Sequence, residues 1–151
     1  MKDFEEAVAI FGKELGIELQ ENDGAVSFDA IVDVDAGVAL QVDVVHIPEN
    51  KSMLVSADLG ELPQEGEDTL CRTFMEANHF FEGTGGATLS VEHESRHVRF
   101  EFCIPLVLLG NEVDSVFLER FLNAAERWRK HLTAPPETAI GFMPHFTYIM
   151  S

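Results

Sequence analysis

Between Val26 and Leu59 the apolar residues of this chain fall on every second position, and on either side of that stretch they fall three or four apart. A period of two sends alternate side chains to opposite faces of a strand, whereas a period near 3.6 lines them along one stripe of a helix. The switch predicts strands enclosed by helices. Val26, Phe28, Ala30, Val32 and Val34 alternate with Ser27, Asp29, Asp33 and Asp35, Ile31 being the exception. Val38, Leu40, Val42 and Val44 then face away from Gln41 and Asp43, and Met53, Val55, Ala57 and Leu59 follow. Ala36-Gly37 and Pro48-Glu49-Asn50 mark the turns. The pattern is that of an antiparallel meander with one core face and one polar face.

Around the meander the helical period is equally plain. In residues 2–15, Phe4, Val8, Phe11 and Leu15 form a stripe widened by Ala7 and Ile10, and Gly16 suits a C-terminal cap. Asn22-Asp23-Gly24 then reads as a turn between extended segments 17–20 and 25–34. Pro63 and the acidic run 64–68 open a second helix reaching about Phe80, with Leu70, Phe74, Ala77 and Phe81 as its main stripe. Gly83-Thr84-Gly85-Gly86 ends it. Two strands follow at 87–92 and 98–105, then a helix at 111–132 carrying Val113, Phe117, Phe121, Ala124 and Trp128. The predicted class is α+β, an antiparallel β-sheet with three helices packed on it, in the order α-β-β-β-β-α-β-β-α. Residues 1–132 are expected to form one domain. Residues 133–151 form an apolar C-terminal tail beginning around Pro135-Pro136, expected either to pack back on its own sheet or to cover a groove.

Charge narrows the function. Asp and Glu number 27 against 10 Lys and Arg, for a net −17 and a pI near 4.5. Such a surface disfavours phosphate neutralisation and anionic lipid, so no nucleic-acid partner and no membrane insertion are predicted. The acidic start, MKDFEEAV, lacks the basic and apolar regions of a secretory signal, and the chain is expected to stay in the cytoplasm. Cys71 and Cys103, the only cysteines, lie in apolar segments and suggest reduced thiols.

Candidate chemistry is sparse. The Gly83–Gly86 loop lacks the Lys-Ser/Thr of a phosphate cradle and precedes a strand, so it reads as a turn. His93 and His97, flanked by Glu92 and Glu94, are four apart in a hairpin, where a metal site needs a tight turn; a polar turn is the simpler reading. The many carboxylates need no catalytic role in so acidic a chain, and no nucleophile elbow or HExxH motif occurs. No enzyme activity and no cofactor are predicted. Two alternatives stay open: a regulatory domain binding a folded partner, and a metal-dependent or small-molecule enzyme using surface histidines.

Three segments carry a resemblance: ADLGELP at 57–63, EANHFFEGTGGATLS at 76–90 and FLNAAERWRK at 121–130. Together they resemble the class I chaperones of bacterial type III secretion, the Tir-chaperone or CesT-like family, over roughly residues 2–132. The resemblance implies a homodimer without catalytic activity that holds the N-terminal segment of a secreted effector in extended form. It implies a dimer interface on the second helix and the strand after it, for which Leu70, Cys71, Phe74, Met75, Asn78 and Leu89 are the candidates. It also implies effector grooves on the first helix and the meander, with Phe4, Val8, Phe11, Phe28, Ile31, Val45 and Ile47 as candidates, several of which must be core instead.

Overall fold

The computed structural model describes residues 3–16, 18–19, 22–33, 35–110, 113–133 and 149. Its first helix, α1 (Phe4–Leu15), starts where a capping box closes. The Glu6 N–H donates to the Asp3 carboxylate at 2.9 Å, and the Asp3 N–H reaches back to Glu6 at 3.3 Å. Two of the first turn's orphan donors are thereby satisfied. Gly16, in the left-handed conformation, ends the helix. The short strand expected at 17–20 is not found: Glu18 and Leu19 belong to no strand, and 17 and 20 lie outside the described residues.

The meander forms as β1 (Ala25–Asp33), β2 (Val38–Ile47) and β3 (Ser52–Glu61). Helix α2 (Glu67–Asn78) then carries the chain over the neighbouring strand to β4 (Thr88–Val91), and β5 (His97–Pro105) returns between β4 and β3. The antiparallel sheet has the order β1-β2-β3-β5-β4, and the long helix α3 (Val113–Thr133) closes the domain. A bulge between Asp58 and Gly60 lets β3 follow β5: the Gly60 N–H donates to the Asp58 carboxylate at 2.9 Å. Gly60 there has φ +102°, which a side chain would strain.

All three helices lie against one face of the sheet, and the Phe4 ring of α1 stacks on His46 of β2 at 5.0 Å. Helix α3 packs on β1 and β3, α1 packs on α3, and α2 packs on β4. An aromatic series marks the seam. Phe11 and Phe102 both meet Phe117, Phe117 stacks on Phe121 at 5.8 Å, and Phe121 meets Phe100 at 5.4 Å. Further along α3, Trp128 meets Phe74 and His131 edge to face. Among the described residues no helix is long and apolar enough to cross a membrane.

Burial pushes the His131 imidazole below its usual value. The unfolded chain accepts that proton near pH ~6.5, and the native chain resists it. This group's contribution to stability is therefore full above that pH and is lost as the pH falls below it. Wild-type protein is expected to lose more unfolding free energy than His131→Gln between about pH 7.5 and about pH 5.5. Urea unfolding at the two pH values checks this; equal losses would show that His131 plays no part.

Candidate functional site

Among the described residues the other face of the sheet carries no helix, and its side chains can be laid out row by row from the register. One row runs Ala25, Val45, Leu54, Cys103 across four strands, with Ile47, Ser52 and Pro105 beside it. The next row is polar: Ser27, Asp43, Ser56, Glu101, Thr88. Cross-strand neighbours of this kind are what a ligand lying over a sheet would touch.

A network centred on Arg99 locks the polar half. Its guanidinium reaches Asp43 at 2.6 Å, Ser56 at 3.0 Å and Asp58 at 3.5 Å. Asp58 also receives the His97 ring at 2.8 Å, while Asp43 accepts from Ser27 and Glu101 from Ser90. These bonds tie β1, β2, β3 and β5 together and pin their register. One half of the face is thus held rigid by ion pairs. The other half is an uncovered strip of aliphatic side chains and a thiol.

Of the seven residues expected to line grooves, only Val45 and Ile47 lie on this strip. Ile31 is 67% exposed, but it stands six residues along β1 from Ala25, roughly 20 Å away. Phe4, Val8, Phe11 and Phe28 are at most 7% exposed and belong to the core: α1 packs on α3 with Phe11 against Phe117, Phe4 stacks on His46 of β2, and Phe28 lies on the inward face of β1. They offer no surface to a partner in this structure. Leu54 and Cys103 were missed. Their signal was there to find, since both are apolar at positions where the alternation of β3 and β5 points away from the core. The outward side of α1 instead lines a shallow groove of about 510 Å³ with Ala9, Gly12, Lys13, Gly16, Glu18 and Leu19.

A second apolar region follows α2. Of the residues expected there, Leu70, Phe74 and Leu89 are buried, and Cys71 is half-buried. The Asn78 amide clasps the edge strand β4, donating to the Leu89 carbonyl at 3.0 Å and accepting its N–H at 2.9 Å. Met75, however, is 74% exposed. It is followed by Phe80 and Phe81, both exposed and both with positive φ (51° and 57°), in a 3-10 turn (His79–Phe81) that the helical period extended straight through. Phe81 was expected on the buried stripe; the break in the helix turns it outward. Backbone of this kind costs about 1–3 kcal/mol per residue, so the turn is held by its surroundings.

His97 engages Asp58, and among the described residues no group of three or more His, Cys, Asp or Glu is placed to hold a metal ion. With an exposed apolar strip, an acidic composition and, among the described residues, helices on one face of the sheet, the decisive observation is a match to the Tir chaperone protein (CesT) family over residues 6–129. The chain belongs to that family. Among solved structures, this CesT-family chain is similar to one in the ExsC–ExsE complex (TM-score 0.67, 18% identity, covering 87% of this chain and 97% of that one). It is also similar to one in the HopA1–SchA chaperone–effector complex (0.61, 14%, 85% and 92%). A third likeness is to one in the heterodimeric ExoU–SpcU complex from the type III secretion system of Pseudomonas aeruginosa (0.57, 14%, 80% and 92%). At these identities the likeness carries the fold. Among curated proteins no sequence matches.

The two thiols of the CesT-family chain differ in environment. Cys103 is exposed on the strip. Burial, then the charges of Glu67 and Asp68, push the Cys71 thiol up and keep it protonated. Iodoacetamide near neutral pH is expected to label Cys103 well before Cys71, as read by mass spectrometry of the digested protein.

Proposed function

We propose that this protein is a type III secretion chaperone that holds the N-terminal segment of a secreted effector in extended form. Residues 1–132 act as the chaperone domain, and 133–151 are an appended tail. The observation that carries the reading is the aliphatic strip Val45–Leu54–Cys103 on an uncovered sheet face of a chaperone-family chain. An extended segment presents every second side chain to such a surface, so apolar residues at alternate positions can seat along it. Holding is steric and needs no catalysis. The net charge of −17 restrains self-association of a protein that keeps apolar surface open in the cytoplasm.

The exposed Met75, Phe80 and Phe81 support pairing of two copies through the α2 side. Isologous pairing would double the surface offered to one wrapped segment.

Cys103 supplies the test. A co-purified effector N-terminal segment, added to saturation, is expected to slow Cys103 alkylation at least tenfold and leave Cys71 unchanged. Unaltered Cys103 labelling in a complex of confirmed stoichiometry would remove the strip from the binding site. Sedimentation at micromolar concentration tests the pairing separately.

A further inference from the structure

The turn after α2 is strained, and two of its anchors, Trp128 and Ile149, come from outside it. The Gly83 N–H donates to Ala77 of its own helix, while the Gly83 carbonyl accepts the Trp128 indole N–H of α3 at 3.0 Å. Two residues on, the Gly85 N–H donates to the Phe81 carbonyl at 3.0 Å, and the Gly85 carbonyl accepts the backbone N–H of Ile149 at 2.6 Å. Ile149 itself is 1% exposed and packs as part of the core. One glycine therefore links Ile149 to the carbonyl of Phe81. Thr84, between the two anchored glycines, is fully buried with its hydroxyl unpartnered, a further cost that this conformation bears.

Left to itself, a turn with two aromatic residues in the left-handed region would relax. The Trp128 anchor holds its start. Within the turn the Thr84 and Gly85 N–H groups close on the Phe81 carbonyl, and Ile149 adds to that end one backbone hydrogen bond and one buried aliphatic side chain, the elements by which an extended peptide is recognised. We propose that Ile149 acts as an intramolecular latch. It holds the 79–86 turn in the conformation that presents Phe80 and Phe81, and so sets the strength of pairing between two copies. The coupling to pairing rests on the reading of the α2 side as the dimer interface.

The test compares Ile149→Asp and Ile149→Ala with Phe80→Ser, each in the full-length protein. Trp128 is the only tryptophan and is fully buried at the other anchor, so its emission reports on the turn independently of oligomeric state. Ile149→Asp is expected to shift that emission to the red and to weaken pairing at least tenfold by sedimentation equilibrium, with far-UV circular dichroism unchanged. Ile149→Ala should do the same to a smaller degree, which keeps the test open if the aspartate variant fails to fold. Phe80→Ser should weaken pairing with no change in emission. Unchanged Trp128 emission in both Ile149 variants, or altered emission with undiminished pairing, would overturn the latch. If the wild type pairs and Phe80→Ser does not weaken it, the interface has been misplaced, and Trp128 emission alone then decides whether Ile149 holds the turn.

Discussion

Replacing Trp128 by alanine is expected to cost about 3–5 kcal/mol of stability, the range for removing a large, fully enclosed aromatic side chain. Two losses combine. The indole packs edge to face on Phe74 at 5.9 Å and on His131 at 5.5 Å, so truncation opens a void where α2 meets α3. It also strips the Gly83 carbonyl of its donor inside the core, and an orphaned buried acceptor costs about 1–3 kcal/mol. Trp128→Phe separates the two by keeping most of the volume and losing only the N–H; about 1–2 kcal/mol is expected. Urea unfolding at one fixed protein concentration is the measurement, because pairing would add a concentration-dependent contribution. A loss below about 1 kcal/mol for Trp128→Ala would mean that the core repacks around the gap.

The second large effect is on binding. Val45→Asp puts a carboxylate in the middle of the aliphatic row, between Ala25 and Leu54, and is expected to weaken an effector segment at least ~30-fold, equivalent to about 2 kcal/mol. Stability should fall by no more than about 1 kcal/mol, since Val45 is 38% exposed and the loss is mainly one of strand preference. Ile31→Asp is the control. Ile31 is the more exposed of the two, yet it lies off the strip, so affinity should stay within about twofold of wild type. Calorimetric titration of the co-purified segment into both variants decides. Equal weakening would place the track along β1, and no weakening in either would move it off the sheet, toward the α1 groove.

Periodicity made the strands, their inward faces and the aromatic edge of α3 legible, because each depends on a repeat within one element. It could not say which element a helix stripe packs against. Phe4, Val8 and Phe11 read as surplus apolar surface in α1 alone; in the fold they are core, Phe11 against Phe117 of α3 and Phe4 against His46 of β2. The strip was hidden for the opposite reason. Val45, Leu54 and Cys103 are single irregularities in three separate strands, and only the register brings them side by side. His97 was weighed against His93, four residues back, whereas its partner Asp58 lies across the β3–β5 ladder. The reversed backbone at Phe80 and Phe81 depends on anchors from α3 and from Ile149, and no local pattern encodes it.

The Asn78 clasp bears on how many neighbours a chain can acquire. A sheet with both edges open has a strand-pairing valency of two, and such units can join end to end without limit. In this chain β4 is four residues long, and the Asn78 amide already occupies both backbone groups of Leu89 at its centre. Among the described residues that leaves β1 as the one long edge, a valency of one. A strand that joins at β1 finishes the sheet, so edge pairing between two such chains stops at a pair. Strand pairing at the edges is thereby denied the geometry of a fibre.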